Sequence, residues 1–390
     1  MLDVLIVGAG PAGTVAATVL ARNGARVRLV DRARFPRDKL CGDTVNPGTL
    51  ALLRRLDMAD RLETRGLPVA GMIVTGADGV AVESPYPNGL QGRALVRREL
   101  DWSLLQHATA AGAEFEPRTT VRRAVWNDGG AGGITGVIVD SGGVNDVRTI
   151  RARVVIAADG RHSTLAFGLG LARHPEHPRR WAIGAYFENV DQLSSFGEMH
   201  VRRGGYIGVA PIPGGLANVC LVKPWAGGDS SLRDPDGLLQ RELARDPMLR
   251  ERFKGARLVM PPVVLGPLAV DVNPHAIPGL LLAGDAAGFI DPMTGDGLRF
   301  AVRGGELAAQ AALQALASGW AGVHERLAHE RRREFAPKWR FNRTLRTLVS
   351  SAAAVRVGEA VALVAPVALR AIVHRAGDCD IGRASGPGTL

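Results

Sequence analysis

Asp3-Val4-Leu5-Ile6-Val7-Gly8-Ala9-Gly10-Pro11-Ala12-Gly13, read on through Thr14–Leu20 to Val27-Arg28-Leu29-Val30-Asp31, decides the fold. An apolar, β-rich run enters Gly-x-Gly-x-x-Gly, a helical pattern follows, and a second apolar run ends on an acid. Gly8 permits the tight turn, Gly10 lets a pyrophosphate approach the backbone, and Gly13 lets helix pack on strand. The helix entered through Pro11 and Ala12 turns its positive end toward those phosphates. Asp31 stands where a carboxylate accepts hydrogen bonds from a ribose hydroxyl pair, and Arg32 follows it. A lone glycine triplet is a common turn. This one has strand, helix, second strand and acid at the spacing of a dinucleotide site. The triplet alone leaves NAD and FAD open.

The 390 residues are enough for two interpenetrating domains with a full core. Apolar content of 46% and charged content of 22% are those of an ordinary globular chain. The net charge of +10 is a poor nucleic-acid signal, because the arginines are scattered and only Lys39, Lys223, Lys254 and Lys338 are lysines. No nucleic-acid partner is expected. Cys41, Cys220 and Cys379 make neither a disulfide framework nor a metal-ligand spacing, which fits a reducing, cytoplasmic setting. With the first strand beginning at once, no signal peptide is expected, and no apolar run reaches transmembrane length.

After Asp31 a polar loop, Arg32–Asn46, feeds a helix whose N-cap is Asn46 and whose first residue is Pro47. Short strands in 68–95 make a β-excursion. A helix beginning near Leu95, strands at Thr120–Trp126 and Gly136–Asp140 around a glycine-rich turn at 128–133, and the buried run Arg153–Ala158 ending on Asp159-Gly160 return to the first domain. From Trp181 to Val264 the pattern is antiparallel, interrupted by a helix at Pro235–Arg245. Gly279–Ala283 then leads into Gly284-Asp285, followed by a long helix near Gly297–Ala317. Ligands of a doubly wound sheet bind at the carboxyl rim of its strands, and four strand ends here carry small or acidic residues. The arginine-rich run His324–Arg346 reads as a solvated helical face. The apolar segment Ala360–Ile372, with Pro366 inside, reads as a docked helix or a membrane-surface contact.

At this point the chain resembles the FAD-dependent oxidoreductases of the para-hydroxybenzoate hydroxylase fold, over about residues 1–345. The resemblance rests on Gly8–Gly13, on Ala158-Asp159-Gly160-Arg161-His162-Ser163, and on Gly284-Asp285-Ala286-Ala287. It implies an α/β chain in which 1–67, 96–170 and 271–320 form a Rossmann-type FAD-binding domain. Residues 68–95 and 171–270 then form an antiparallel β-sheet substrate domain, 321–376 a helical C-terminal region, and 377–390 a disordered tail. By resemblance Asp285 bonds the ribityl chain and Arg97 lies near the pyrophosphate, with Arg98 as the alternate register. Lys39-Leu40-Cys41-Gly42-Asp43 is similar to the loop of the geranylgeranyl reductase branch, as is Gly284–Gly297 with its Pro292, Gly295, Asp296 and Gly297. That places Lys39, Cys41 and Gly42 at the cofactor and makes Cys41 the candidate catalytic residue over the flavin. Backbone N–H groups of Gly295-Asp296-Gly297 would face the anionic reduced flavin.

The branch's Tyr-x-Trp-x-Phe-Pro motif becomes Tyr206-Ile207-Gly208-Val209-Ala210-Pro211, so the candidate pocket (Tyr206, Gly208, Ala210, Pro211) has lost both aromatics. The loop motifs imply reduction of a C=C bond in an apolar, isoprenoid-type substrate. The trimmed pocket implies room for a ring and keeps open a monooxygenase acting on an aromatic or polyketide-like molecule. With no second glycine triplet, electrons are expected from NAD(P)H bound transiently or from another donor, including a donor protein. Cys220 reads as core, and Cys379 as tail.

Overall fold

The computed structural model describes the chain apart from residues 77–79, 128–131, 144–145, 178, 203, 225–229, 274, 352–364 and 381–390. Most of the glycine-rich turn at 128–133 and residues 360–364 of the apolar C-terminal segment therefore lie outside the described residues.

The first strand, Leu2–Val7, is apolar except for Asp3 near its start, and from Val4 on it is buried because both of its faces are covered. It pairs in parallel with Val27–Val30 on one side and with the carboxyl half of Val147–Ala157 on the other. Glu114–Glu116 extends the sheet in parallel beyond Val27–Val30, and Leu280–Leu282 does so beside Val155–Ala157. The amino half of Val147–Ala157 turns instead to Ile134–Asp140 and Thr120–Trp126 in an antiparallel meander. Val4 and Ile6 face helices Pro11–Arg22 and Gly297–Ser318, while Leu5 and Val7 face the meander and Leu165. The period-two alternation thus feeds two cores from one strand.

A second sheet is built from Arg180–Glu188, Leu216–Pro224, Gly205–Ile212 and Phe196–Arg202 in antiparallel order, continued by Gly71–Thr75 and Ala81–Pro85. Its odd-numbered residues, among them Ile183, Ile207, Val209, Val219 and Leu221, pack under helix Pro235–Arg245. Its even-numbered residues Ala182, Tyr206 and Val222, with Met199 and Cys220, meet Phe289 and Met293 from the loop after Leu282. One sheet face is therefore turned to the first domain.

Helix Val323–Ser350 corrects the reading of a solvated face. Phe335 joins the core of the first sheet, and Lys338 is only 3% exposed, paired at 3.0 Å with Asp296 and at 3.3 Å with Asp378. The acidic partners of this basic helix belong to the same chain. The expectation of a disordered tail from Gly377 fails at its start. Asp378 also pairs with Arg299 at 2.9 Å, Cys379 is buried, and the carbonyl of Gly377 accepts from Gly48 N–H at 3.2 Å. The carbonyls of Arg375 and Ala376, closing helix Pro366–Ala376, take hydrogen bonds from Lys338 Nζ. Lys338→Met should lower stability by about 3–5 kcal/mol, because it takes the ion-pair partner from the buried Asp296 and one of the two cations from Asp378. Chemical denaturation checks this, and a change under 1 kcal/mol would contradict it. No helix among the described residues is long and apolar enough to cross a membrane.

Candidate active site

The three glycines of the first turn occupy three different surroundings. A Cβ on Gly13 would lie 1.9 Å from the carbonyl oxygen of Gly8, and Gly8 itself adopts φ +101°, which favours glycine. A Cβ on Gly10 would meet nothing nearer than Arg37 Nη2 at 3.8 Å. Gly10 is thus open to a ligand, while Gly8 and Gly13 are closed against protein. Helix Pro11–Arg22 has no side-chain cap and no acid in its first turn, so its leading N–H groups stay available for an anion. Asp31 accepts from Ala9 N–H and Ala33 N–H, both at 2.8 Å, and keeps lone pairs for a ribose. Arg32 is exposed beside Asp159.

Arg37 stacks on Phe35 at 4.7 Å and pairs with Asp101 at 2.9 Å, leaving a buried Nη1 without a hydrogen-bond partner. Arg97 grips the same Asp101 through Nε and Nη2, at 2.7 and 2.8 Å. Burial works against the charge of Arg97, but Asp101 and Cys41 outweigh it and hold the guanidinium above its ordinary value. Arg98 points away to Asp38. Lys39 is exposed at the edge of this cluster, near Arg97, Asp101 and Asp285. Desolvation and then Arg97 hold its pKa down, while Asp285 opposes them. Asp285 accepts no side-chain hydrogen bond from any described residue. Burial raises its pKa, and Lys39, Arg161 and Arg97 counter that from around it. Asp159, followed by Gly160 at φ +86°, accepts from Thr164 N–H at 2.8 Å and leaves Oδ1 buried and unpartnered. Pro292 and Gly295 form the turn before Asp296 and Gly297. The carboxylate of Asp296 is committed to Lys338 and to Asn342 at 3.1 Å, so it has only its backbone to offer the cleft.

On the sheet face opposite, Met199, Gly208, Cys220 and Gly184 form one cross-strand row. A Cβ on Gly208 would find nothing closer than 3.9 Å, whereas one on Gly184 would strike Leu40 Cδ2 at 2.0 Å. The row is a shallow trough, open at Gly208 and filled by the Lys39–Asp43 loop at Gly184. Cys220, expected in the core, is half-buried on this floor. Ala210 lies in the next row, beside Asn218 and Tyr186, and Pro211 is buried one residue on. Tyr206 closes one end: its hydroxyl donates to Asp291 Oδ1 at 2.8 Å, and Arg180 holds Oδ2 at 2.9 Å. That phenol is committed to protein.

At the other end the loop is tied to the sheet. Tyr186 donates to Asp43 Oδ2 at 2.6 Å, and Asn218 Nδ2 donates to the same oxygen at 2.7 Å and to the Cys41 carbonyl at 2.6 Å. Asp43 N–H donates to Cys41 Sγ at 3.2 Å, and Sγ lies 3.7 Å from Asp43 Oδ1. Burial, seconded by Asp43, pushes the Cys41 thiol up to about 11. Burial pushes Asp43 up to about 6 and the Cys220 thiol to about 12.

Residues 1–220, more than half of the chain, match the family described as FAD binding domain. The chain belongs to this family of FAD-binding flavoproteins. A menaquinone reductase of Mycolicibacterium smegmatis is 33% identical over 328 residues, covering 79% of this chain and 75% of that protein. A digeranylgeranylglycerophospholipid reductase of Methanosarcina mazei is 30% identical over 336 residues, covering 81% and 76%. The flavoprotein also superposes on a flavin-dependent brominase with a TM-score of 0.82, over 97% of this chain and 94% of that one, at 20% identity; this shows the shared fold.

The flavoprotein is thus an FAD-dependent oxidoreductase, and its cleft fits the cofactor: Gly10 is open to close approach, Arg37 Nη1 is buried without a hydrogen-bond partner, and Lys39, Arg161 and Arg97 gather around Asp285. Arg37, Tyr186 and Asn218 escape the sequence reading. Asn218 had left a signal, as a polar residue inside the apolar strand Ala217–Val222. Arg37 and Tyr186 had left none, because their roles come from Asp101 and Asp43, distant in sequence.

Proposed function

We propose that this flavoprotein reduces a C=C bond of an apolar substrate that carries an isoprenoid chain or a ring. Reduced FAD supplies the hydride. Electrons come from NAD(P)H bound transiently or from a donor protein. The observation that carries the reading is the Lys39–Asp43 loop, whose Lys39 stands near Arg97 and Asp285 while Leu40 seats on Gly184 and Asn218 holds the Cys41 carbonyl. Two relatives at 30% identity or more are named as reductases, one of a quinone and one of a geranylgeranyl lipid. Arg97, Lys39 and Asp285 orient the cofactor, and the small residues of the trough exclude water around the substrate. An apolar lipid would reach the trough from a membrane surface. Leu348 and Val367, exposed on the C-terminal helices, suit such a peripheral contact.

One observation favours a second reading. The floor is open at Gly208, which suits a ring and leaves room for an oxygenase that hydroxylates or epoxidises it. Anaerobic turnover with chemically reduced protein and a geranylgeranyl lipid or menaquinone separates the two. Saturated product without oxygen is expected. An absolute need for O₂ would overturn the reductase reading.

A further inference from the structure

Asp43 is buried in the left-handed region at φ 51°, a backbone cost that a simple connection between loop and helix would not need. Four donors converge on its carboxyl: Tyr186, Asn218, the Cys41 thiol, and Arg97 N–H at 3.2 Å to Oδ1. Two of the four come from the substrate sheet and one from the cofactor side. Asn218 also fixes the Cys41 carbonyl, and Leu40 is seated on Gly184, so the thiol between them has its backbone pinned from both directions. We propose that Asp43, held by Tyr186 and Asn218, is a positioning residue that keeps Cys41 a neutral thiol beside the trough and restores its proton after Sγ–H has been given to the substrate.

The proposal rests on the reductase reading. In the net reaction the double bond gains two electrons and one hydrogen as the cofactor's hydride. Its second hydrogen comes as a proton from Cys41 Sγ. The thiolate left behind takes the proton of the Asp43 carboxyl, and Asp43 is reprotonated from solvent by way of the half-buried Tyr186 hydroxyl. The titratable and charged groups around the pair are Arg97, locked to Asp101, with Lys39 on its cofactor side, and Tyr186 and Cys220 on the sheet. Burial holds Tyr186 above its ordinary value and Cys220 near 12, so near neutral pH Asp43, at about 6, is the member of the pair that exchanges a proton.

The test is Asp43→Asn in the full-length, FAD-loaded protein. Iodoacetamide labelling of Cys41 at pH 8.5, with Cys41→Ala as the blank for the other thiols, should be about 5- to 10-fold faster, because the neighbouring negative charge is gone. Wild-type kcat should fall as pH rises through about 6, where Asp43 loses its proton, and the variant should lack that limb. Labelling and a pH profile both within about 2-fold of wild type would overturn the proposal. If Asp43→Asn does not fold, Tyr186→Phe takes its place. Losing a donor to the carboxylate raises the Asp43 pKa, so the falling limb should move to higher pH, and an unmoved limb would overturn the proposal. Labelling is read without turnover. A normal labelling response in a protein that reduces no double bond would overturn the reductase reading, and the proton transfer to substrate with it, while the holding of the thiol by Asp43 would stand.

Discussion

Asp285→Ala should fold normally and emerge from gel filtration without its FAD. The carboxylate accepts no side-chain hydrogen bond from the described residues, so little of the apoprotein depends on it. Burial raises its pKa, and Lys39, Arg161 and Arg97 around it act in the opposite sense and favour the charged form, which suits an acceptor for ribityl hydroxyls. Removing charge-assisted hydrogen bonds of this kind costs on the order of 2–3 kcal/mol, or about 30- to 150-fold in Kd. The measurement pairs flavin absorbance after gel filtration with the melting temperature of the apoprotein. Stoichiometric yellow flavin in the variant would refute the assignment. A collapse of the apoprotein would show instead that Asp285 supports the fold.

Gly13→Ala should damage fold and cofactor together, in contrast to Gly10→Ala. The new Cβ at position 13 falls 1.9 Å from the Gly8 carbonyl, so the first helix must lift from the first strand. Overpacking against rigid backbone costs on the order of 3 kcal/mol or more, because no flexible side chain can yield. At Gly10 the nearest atom to a new Cβ is Arg37 Nη2 at 3.8 Å, so the apoprotein should melt within about 1 kcal/mol of wild type and lose only FAD affinity. Denaturant melts of the two apoproteins decide the matter. Equal stabilities would mean that the glycines do not divide the roles of packing and cofactor approach.

Local pattern determined much of this protein. The glycine triplet, the continuous apolar strands and the acid at position 31 identify a dinucleotide rim because each signal is carried within a few residues by backbone sterics and by strand or helix periodicity. The alternation of the second sheet, and its loss of bulk at Gly208 and Ala210, are legible for the same reason. Other features depend on contacts between residues far apart in the chain. Lys338 reads as one more surface cation in a basic helix until Asp296 and Asp378 close around it. Cys220 reads as core until the register of three strands sets it between Gly208 and Gly184 on the floor of the trough. Asp43 reads as the last letter of a loop motif until Tyr186, 143 residues away, and Asn218, 175 residues away, converge on it. Burial and charge pairing act through space, so only the folded chain decided which polar side chains serve the cofactor, which hold the thiol, and which merely lock the C-terminal helix in place.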